Sequence, residues 1–208
     1  MDDCFLLSSI AALAKNAPND IKKLIKEKSD GSYEVTLFLR KDPSTDKRTA
    51  TIIPVKNEFV RNEKKKAAYA GKGDNELWVQ VLEKAYAQAM GGYDALLDGG
   101  SSLETLQVLT GKTATKGLVK KENQKELLQI FEEALKNKTP LTLGSMDAPN
   151  NENSHIILND GQKIYYDHFY YLDKIDGVIF YLKNPHGKEH LELNWQNLCS
   201  YFIDYAKL

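Results

Sequence analysis

The first 137 residues combine a helical spacing of apolar positions with two short alternating segments. Residues 4–17 are rich in alanine and leucine, which favour a buried helix, and Pro18 follows its end. Apolar residues three and four positions apart predict further helices over 19–28, 75–91, 103–109 and 122–137. Alternation of β-forming and polar residues predicts strands over 32–40 and 49–55.

The last third of the chain changes character, because tyrosine, isoleucine, leucine and phenylalanine dominate short segments that are typical of strands. These segments cover residues 139–145, 154–159, 163–173, 178–183 and 190–193. Helices followed by sheet are the pattern of an α+β protein with two lobes. We expect a mostly helical lobe over residues 1–115 and a mostly antiparallel β lobe over residues 116–208.

The composition argues against several classes of protein. A chain of 208 residues buries enough surface to fold without disulfides, and its two cysteines favour a reducing compartment. Its 28 basic and 29 acidic residues give a net charge of −1, so we expect no nucleic-acid or membrane partner. No apolar run is long enough to span a bilayer, and the acidic first residues do not resemble a signal peptide. The default location is therefore cytoplasmic.

Cys4 lies in the first turn of the first predicted helix. Unpaired N–H groups and the dipole at a helix N-terminus favour a thiolate, which is the nucleophilic form of cysteine. The position therefore suits covalent catalysis, although a small buried cysteine in a helix would give the same pattern. Cys199 lies in a final apolar stretch and is expected in the core.

A cysteine nucleophile needs a histidine base and a group that orients this base. Asp176-Gly177 is a strong hairpin signal, and a turn centred on Asp176 opposes residues whose numbers sum to 352, such as His168 and Asn184. A two-residue Asp-Gly loop would shift this pairing by one and still leave the two residues neighbours. An amide oxygen beside an imidazole would fix its tautomer and direct the other ring nitrogen at a nucleophile. An accidental polar pair at a sheet edge is the alternative.

Several motifs in this sequence resemble those of the calpain family of papain-like cysteine proteases. The segment from Asp3 to Ala11, DCFLLSSIA, is similar to the nucleophile segment of that family. Further similar motifs follow in the family's order and read NELW, LEKAYA, GYDAL, GG, LTG, HFY and LKNPHG. The resemblance extends from Cys4 to Asn184 and therefore covers most of the chain.

The resemblance implies a papain-like fold and a catalytic triad of Cys4, His168 and Asn184. In such a peptidase the cysteine attacks the peptide carbonyl, the histidine later protonates the leaving amine, and the asparagine orients the histidine. Gly99 and Gly100 match a loop that binds the substrate backbone in the family, a role that suits glycine because a peptide can approach it closely. A plain surface loop is the alternative for these two glycines.

Three positions depart from the family pattern. Only three residues precede Cys4, so the glutamine that donates to the oxyanion in the family is absent from this chain. One such donor is worth a factor of ~100–1000 in rate, which indicates either a fragment of a longer protein or a weakened enzyme. His186 replaces a tryptophan that would shield the histidine–asparagine hydrogen bond from water, and Asp167 replaces a glycine.

Calcium enters only through the resemblance, since animal calpains bind it in both lobes of the protease core. Glu76 matches one ligand position, but its companions would precede Cys4, and His190 falls where a carboxylate is expected. Ca²⁺ requires about six to eight oxygen ligands, and the sequence does not supply such a set. We therefore expect no cofactor, no metal site and no calcium activation.

Two other histidine patterns indicate rival chemistry. The segment from His186 to His190 matches the H-x-x-E-H pattern of zinc proteases, but it follows Asn-Pro and contains Gly187, so we do not expect a helix there. His155 could replace His168 as the base, but it has no evident orienting partner, so we expect a structural role for it.

Residues and resemblance together imply a calpain-like cysteine endopeptidase that acts on protein or peptide substrates. If the chain is a fragment, its partners include flanking domains outside it. The alternative is a catalytically weakened or inactive papain-like module that binds peptides or partner proteins. Other acyl-transfer chemistry is a third class. A thiol-directed electrophile at Cys4 distinguishes an activated nucleophile from an ordinary thiol.

Overall fold

The computed structural model describes residues 3–59, 77–149 and 154–208. The α-helices of these residues are α1 Cys4–Asn16, α2 Pro18–Leu24, α3 Leu77–Met90, α4 Ser102–Thr110, α5 Gln124–Lys136 and α6 Trp195–Tyr201. The strands are β1 Ile25–Glu27, β2 Tyr33–Arg40, β3 Arg48–Val55, β4 Thr115–Leu118, β5 Leu141–Ser145, β6 His155–Ile157, β7 Lys163–Tyr165, β8 Phe169–Asp176, β9 Ile179–Lys183, β10 Leu191–Asn194 and β11 Phe202–Lys207. Short 3₁₀ helices cover Tyr93–Leu96 and Lys121–Asn123.

The first hydrophobic core lies between the helices of the first half and a three-stranded antiparallel sheet in the order β1-β2-β3. Helix α1 contributes most of its length, because Leu6, Ile10 and Leu13 recur at helical spacing and are almost fully buried. Helices α3 and α4 and the inner face of β2 complete this core. A helix buried on nearly all sides can place its first residue with little freedom.

The second hydrophobic core lies on an antiparallel sheet in the order β10-β9-β8-β5-β11-β4. Helix α5 covers this sheet with an apolar stripe that includes Leu127 and Phe131. The Phe131 ring makes edge-to-face contacts with Tyr205 at 5.3 Å and Phe180 at 6.2 Å between centroids. Strands β6 and β7 form a separate two-stranded sheet.

The two cores meet where α1 packs against β8 and β5. The Lys15 side chain at the end of α1 contacts both the carboxylate and the backbone carbonyl of Asp173 in β8. On the other side, the Thr142 hydroxyl of β5 donates to the Ser102 hydroxyl of α4 at 3.0 Å. The helix that begins at Cys4 is therefore held directly against the strand that follows His168.

Two predicted elements were wrong in their extent. The helix predicted over 19–28 ends at Leu24, because the β-branched Ile25 and the two residues after it pair with β2 and complete the first sheet. The strand predicted over 163–173 is split into β7 and β8. Asp167, between them, has a φ of +49°, which an extended strand does not allow.

The sequence patterns missed β4, α6 and β11. Strand β4 has the polar sequence TKGL and is mostly exposed, so only its pairing with β11, some 90 residues away, defines it as a strand. The first two residues of the helix predicted over 75–91 lie outside the described residues. The remaining predicted helices and strands are present within a few residues of their expected bounds, and the mixture of helix and antiparallel sheet agrees with the α+β class.

No helix in the described ranges is both long and apolar enough to cross a bilayer.

A charge network with one buried side chain, that of Arg48, ties β2 and β3 to α4. The Glu104 carboxylate accepts from Arg48 at 2.7 Å and from Arg40 at 2.9 Å, and the Arg48 side chain is only 5% exposed. Burial raises the pKa of Glu104, but the hydrogen bonds and charges of the two arginines outweigh burial and hold this pKa below its ordinary value of 4.5.

We expect Glu104→Gln to lower the free energy of unfolding at neutral pH by about 1–3 kcal/mol, measured by urea denaturation, because hydrogen bonds to charged groups are lost. A depressed pKa stabilises the folded state above the unfolded value, and this contribution disappears as pH falls through the folded value. The difference between the two proteins should therefore shrink below pH 4.5. The matched control is Glu132→Gln on the exposed face of α5. If the difference in unfolding free energy between Glu104→Gln and the original sequence does not change with pH, the lowered pKa of Glu104 is contradicted.

Candidate active site

The side chains of His168 and Asn184 meet beside the β8–β9 hairpin and are 7% and 3% exposed. The distance between Nε2 of His168 and Oδ1 of Asn184 is 3.1 Å. The same oxygen accepts the backbone N–H of His186 at 3.0 Å, which identifies it as the carbonyl oxygen of the amide. His168 must therefore carry a proton on Nε2, and Nδ1 is the ring nitrogen that can exchange a proton with a nucleophile.

The register that brings this pair together differs from the predicted one. The last residue of β8, Asp176, pairs with the third residue after it, and the two-residue loop begins with Gly177 at a φ of +57°. A bulge shifts the register further along the hairpin. Continuing this register places His168 opposite His186, whose ring stacks on it at 5.2 Å. The predicted sum of 352 was thus wrong, and Asn184 reaches His168 diagonally.

The backbone of His168 is fixed by Ser145, the last residue of β5. The His168 N–H donates to Oγ of Ser145 at 2.9 Å, and the Ser145 N–H and hydroxyl both donate to the His168 carbonyl, at 2.9 and 3.0 Å. No motif or spacing in the sequence pointed to Ser145, because the contact joins segments more than 20 residues apart.

The backbone conformation of Asp167 accounts for the glycine that the family pattern has before the histidine. Its φ of +49° lies in the left-handed region, which glycine adopts freely and aspartate adopts more readily than most residues. Its carboxylate also accepts the backbone N–H of Ala148 at 3.1 Å. This contact compensates for the conformational cost and keeps the turn before His168 in place.

Cys4 is the first residue of α1, is 7% exposed and lines two adjoining clefts together with His168. The first cleft has a volume of about 270 Å³ and includes Gly99 and Gly100 in its wall. The second has a volume of about 290 Å³ and is lined mainly by aromatic and polar side chains, among them Ser154, Tyr165, Tyr166, Asp167 and His186. The structure thus brings the predicted nucleophile, base and glycine loop to one place.

The glycine loop packs on the ring that follows the candidate nucleophile. A Cβ atom at Gly100 would lie 2.6 Å from the Phe5 ring, so a side chain there would force the loop or the ring to move. Gly99 has a φ of +75°, which favours glycine. These two positions need glycine for local reasons, and their backbone is open to the first cleft.

Charges near the two cysteines differ. Burial raises the pKa of Asp3, the residue before Cys4, while a positive charge on His186 and a hydrogen bond with Glu83 oppose this rise. Burial raises the pKa of the Cys199 thiol, with a smaller opposing effect from Lys121. Cys199 is half-buried against the second core, so the expected core position is only partly reached.

The rival histidine patterns do not build a second site. His155 lies on β6, where its ring is 5.8 Å from that of Tyr165, and it lines neither cleft. The segment from His186 to His190 is a non-helical loop with positive φ angles at Gly187 and Glu189. It therefore lacks the helical face that the zinc-protease pattern requires.

Clusters of metal-binding side chains are the feature that a calcium centre would require. Among residues 3–59, 77–149 and 154–208, no group of three or more histidine, cysteine or acidic side chains could hold a metal ion. Glu76, which matches a ligand position by resemblance, lies outside these ranges. We derive no chemical step that involves calcium.

A helix that begins at a cysteine, next to a buried histidine–asparagine pair, has the components of a thiol hydrolase site. The family model for calpain family cysteine proteases matches residues 1–202, which is nearly the whole chain. The chain therefore belongs to the calpain family of cysteine proteases.

Curated relatives share this family at modest identity. Mouse (Mus musculus) Calpain-9 is 27% identical over 206 residues, which cover 95% of this chain and 29% of the relative. Human (Homo sapiens) Calpain-9 is 30% identical over 137 residues, or 65% of this chain and 19% of the relative. The rice (Oryza sativa subsp. japonica) calpain-type cysteine protease ADL1 is 31% identical over 114 residues, or 53% and 5%. The chain thus spans less than a third of the length of these relatives.

We expect iodoacetamide to alkylate Cys4 much faster than Cys199 at neutral pH, because a helix N-terminus and the nearby His168 offset the burial of Cys4, whereas burial raises the pKa of the Cys199 thiol. Peptide mapping by mass spectrometry gives the two rates separately. His168→Ala should remove the advantage of Cys4, and His155→Ala is the matched control that should leave it unchanged. Equal rates at the two cysteines in the unmodified sequence would refute an activated Cys4.

Proposed function

We propose that this chain is the catalytic core of a calpain-like cysteine endopeptidase with a papain-like fold. Cys4, His168 and Asn184 are its catalytic triad. The observation that carries the proposal is the buried Nε2–Oδ1 hydrogen bond of 3.1 Å, next to a cysteine that lines the same clefts at the start of α1. Membership of the cysteine protease family supports the same chemistry.

The tautomer of His168 defines the order of proton transfers. With Nε2–H donated to Asn184, Nδ1 accepts the proton of the Cys4 thiol, and the thiolate attacks the carbonyl carbon of the peptide bond. The Nδ1–H then protonates the leaving amine, which departs and leaves a thioester. In the second half His168 takes a proton from water, the resulting hydroxide attacks the thioester, and the Cys4 thiolate is released with the acid product.

The two clefts on either side of Cys4 and His168 suit an extended peptide. We place the acyl side of the substrate in the first cleft, where the backbone of Gly99 and Gly100 is accessible. The amine side then lies in the second cleft, which His168 also lines, so the proton donor faces the leaving group. This arrangement suits protein or peptide substrates.

The division into two lobes, 1–115 and 116–208, is part of the same proposal. The two hydrophobic cores support it, since the first draws almost entirely on residues before 115 and the second on residues after 118. Ala206 of β11 is an exception that packs into the first core. This crossing strand ties the lobes together on the side away from β9 and β10.

We expect Cys4→Ala to abolish cleavage of a fluorogenic peptide or casein, because the attacking sulfur is lost, while circular dichroism and thermal unfolding stay close to those of the original sequence. The matched control is Cys199→Ala, which should retain activity. Retained cleavage by Cys4→Ala excludes the mechanism. Peptide binding without cleavage by the unmodified protein supports the alternative, a non-catalytic module that binds peptides or partner proteins.

We expect Asn184→Ala to lower kcat by up to about 100-fold without abolishing it. The reason is that His168, even when it is no longer oriented by Asn184, can still accept and donate a proton. Steady-state kinetics measure the change, and Gln196→Ala, on the exposed side of α6, is the control. An unchanged kcat would mean that the hydrogen bond to His168 does not assist the reaction.

A further inference from the structure

The ring of His190 contacts the backbone of Asn184. Its Nδ1 is 3.2 Å from the backbone nitrogen of Asn184 and accepts that N–H. An imidazole nitrogen accepts a hydrogen bond only through a free lone pair, so His190 makes this contact as the neutral ring with its proton on Nε2. A protonated His190 could not make this contact.

The backbone of Asn184 depends on this contact because the strand pairing has already ended there. Strand β9 stops at Lys183, and the pairing of β9 with β10 ends at Leu182 and Leu191. The Asn184 carbonyl accepts the Gly187 N–H at 3.0 Å, which leaves the N–H to the His190 side chain. The loop from 184 to 190 therefore binds both backbone groups of its first residue, the carbonyl through Gly187 and the N–H through His190.

Glu189 turns the chain so that the next side chain can point back at Asn184. It has a φ of +54°, an unusual value for a residue with a side chain. Its carboxylate is held by Lys163 at 3.1 Å and by the hydroxyl of Tyr165. These anchors on β7 compensate for the backbone cost and fix the position from which His190 reaches the loop.

The charges around His190 favour its neutral form. Burial lowers its pKa below the ordinary 6.5, and the nearby Lys183 lowers it further, while Asp173 opposes them. The Asp173 carboxylate is itself engaged by Lys15 of α1. At neutral pH the ring is therefore in the state that can accept the Asn184 N–H.

We propose that His190 is a positioning residue, which holds the backbone of Asn184 through Nδ1 and thereby orients the amide that fixes His168. The inference rests on the proposed function, since it assigns a further residue to the same site. His190 is not among the residues that line the two clefts, so we assign it a role that acts through Asn184. Protonation of His190 removes the acceptor and loosens the pair.

The test compares His190→Asn, whose side-chain oxygen can replace the Nδ1 acceptor without titrating, with His190→Ala, which has no acceptor. The readouts are kcat and KM for a fluorogenic peptide and the rate of Cys4 alkylation by iodoacetamide, each from pH 5 to 8. We expect His190→Ala to lose about 10-fold in kcat and in alkylation rate at neutral pH with KM nearly unchanged, because the base is misplaced. His190→Asn should recover most of this loss.

The pH profile separates positioning from a merely structural role. Because the pKa of His190 lies below its ordinary 6.5, the accepting form is lost only as pH falls through that lower value, and the unmodified protein should lose alkylation rate relative to His190→Asn there. Two variants that lose activity equally at every pH, or a His190→Ala protein as active as the original, would overturn the proposal. His155→Asn is the matched control and should change neither readout.

Histidine ring ¹⁵N NMR shifts test the role of His190 separately from the proposed endopeptidase activity. If the unmodified protein fails to cleave peptides and His168→Ala does not slow alkylation, the endopeptidase proposal fails. The ¹⁵N shifts of His168 then still decide whether His190 positions the pair. We expect a single tautomer protonated on Nε2 in the original protein and in His190→Asn, and a mixture in His190→Ala. The same tautomer in all three would refute positioning.

Discussion

Burial of α1 against both hydrophobic cores is the constraint on which the candidate site depends. Leu6 and Leu13 are fully buried, and α1 lies on β8 and β5 as well as on α4. Ser8 and Ser9 are also fully buried, and their hydroxyls donate back to the Phe5 carbonyl at 3.2 and 2.7 Å, so no polar group opposes this burial. Because the helix cannot shift, its first residue stays beside the strand that begins after His168.

A series of hydrogen bonds then fixes the positions of His168 and Asn184, two members of the proposed triad. Ser145 holds the His168 backbone, the Asn184 oxygen holds the ring, and the loop after Asn184 holds that oxygen. Ser145, His168 and Asn184 are all buried, where a lost partner costs more than at the surface. Burial therefore makes the arrangement both rigid and sensitive to the loss of any single partner.

The sequence predicted elements better than it predicted their relative positions. Helix α1 followed from apolar spacing, and the proximity of His168 and Asn184 followed from the hairpin signal at Asp176-Gly177. The register did not, because the two-residue loop is Gly177-Val178 rather than a turn centred on Asp176. A bulge between Leu172 and Lys174 then changes the register by one residue. The roles of Ser145 and His190 could not be predicted from the sequence either. Ser145 contacts His168 across strands that are distant in sequence, and His190 accepts a backbone N–H, which no side-chain motif reveals. Strand β4 likewise exists only through its partner β11.

The close approach of Gly100 to the Phe5 ring couples two sites that are far apart in sequence. A side chain at position 100 is compatible with this backbone only if residue 5 becomes smaller, and residue 5 adjoins Cys4 in α1. Substitutions at the two positions should therefore be inherited together in natural or laboratory evolution. Efforts to reshape the first cleft would do better to vary its opposite wall, where the exposed Ile203 has no comparable restraint.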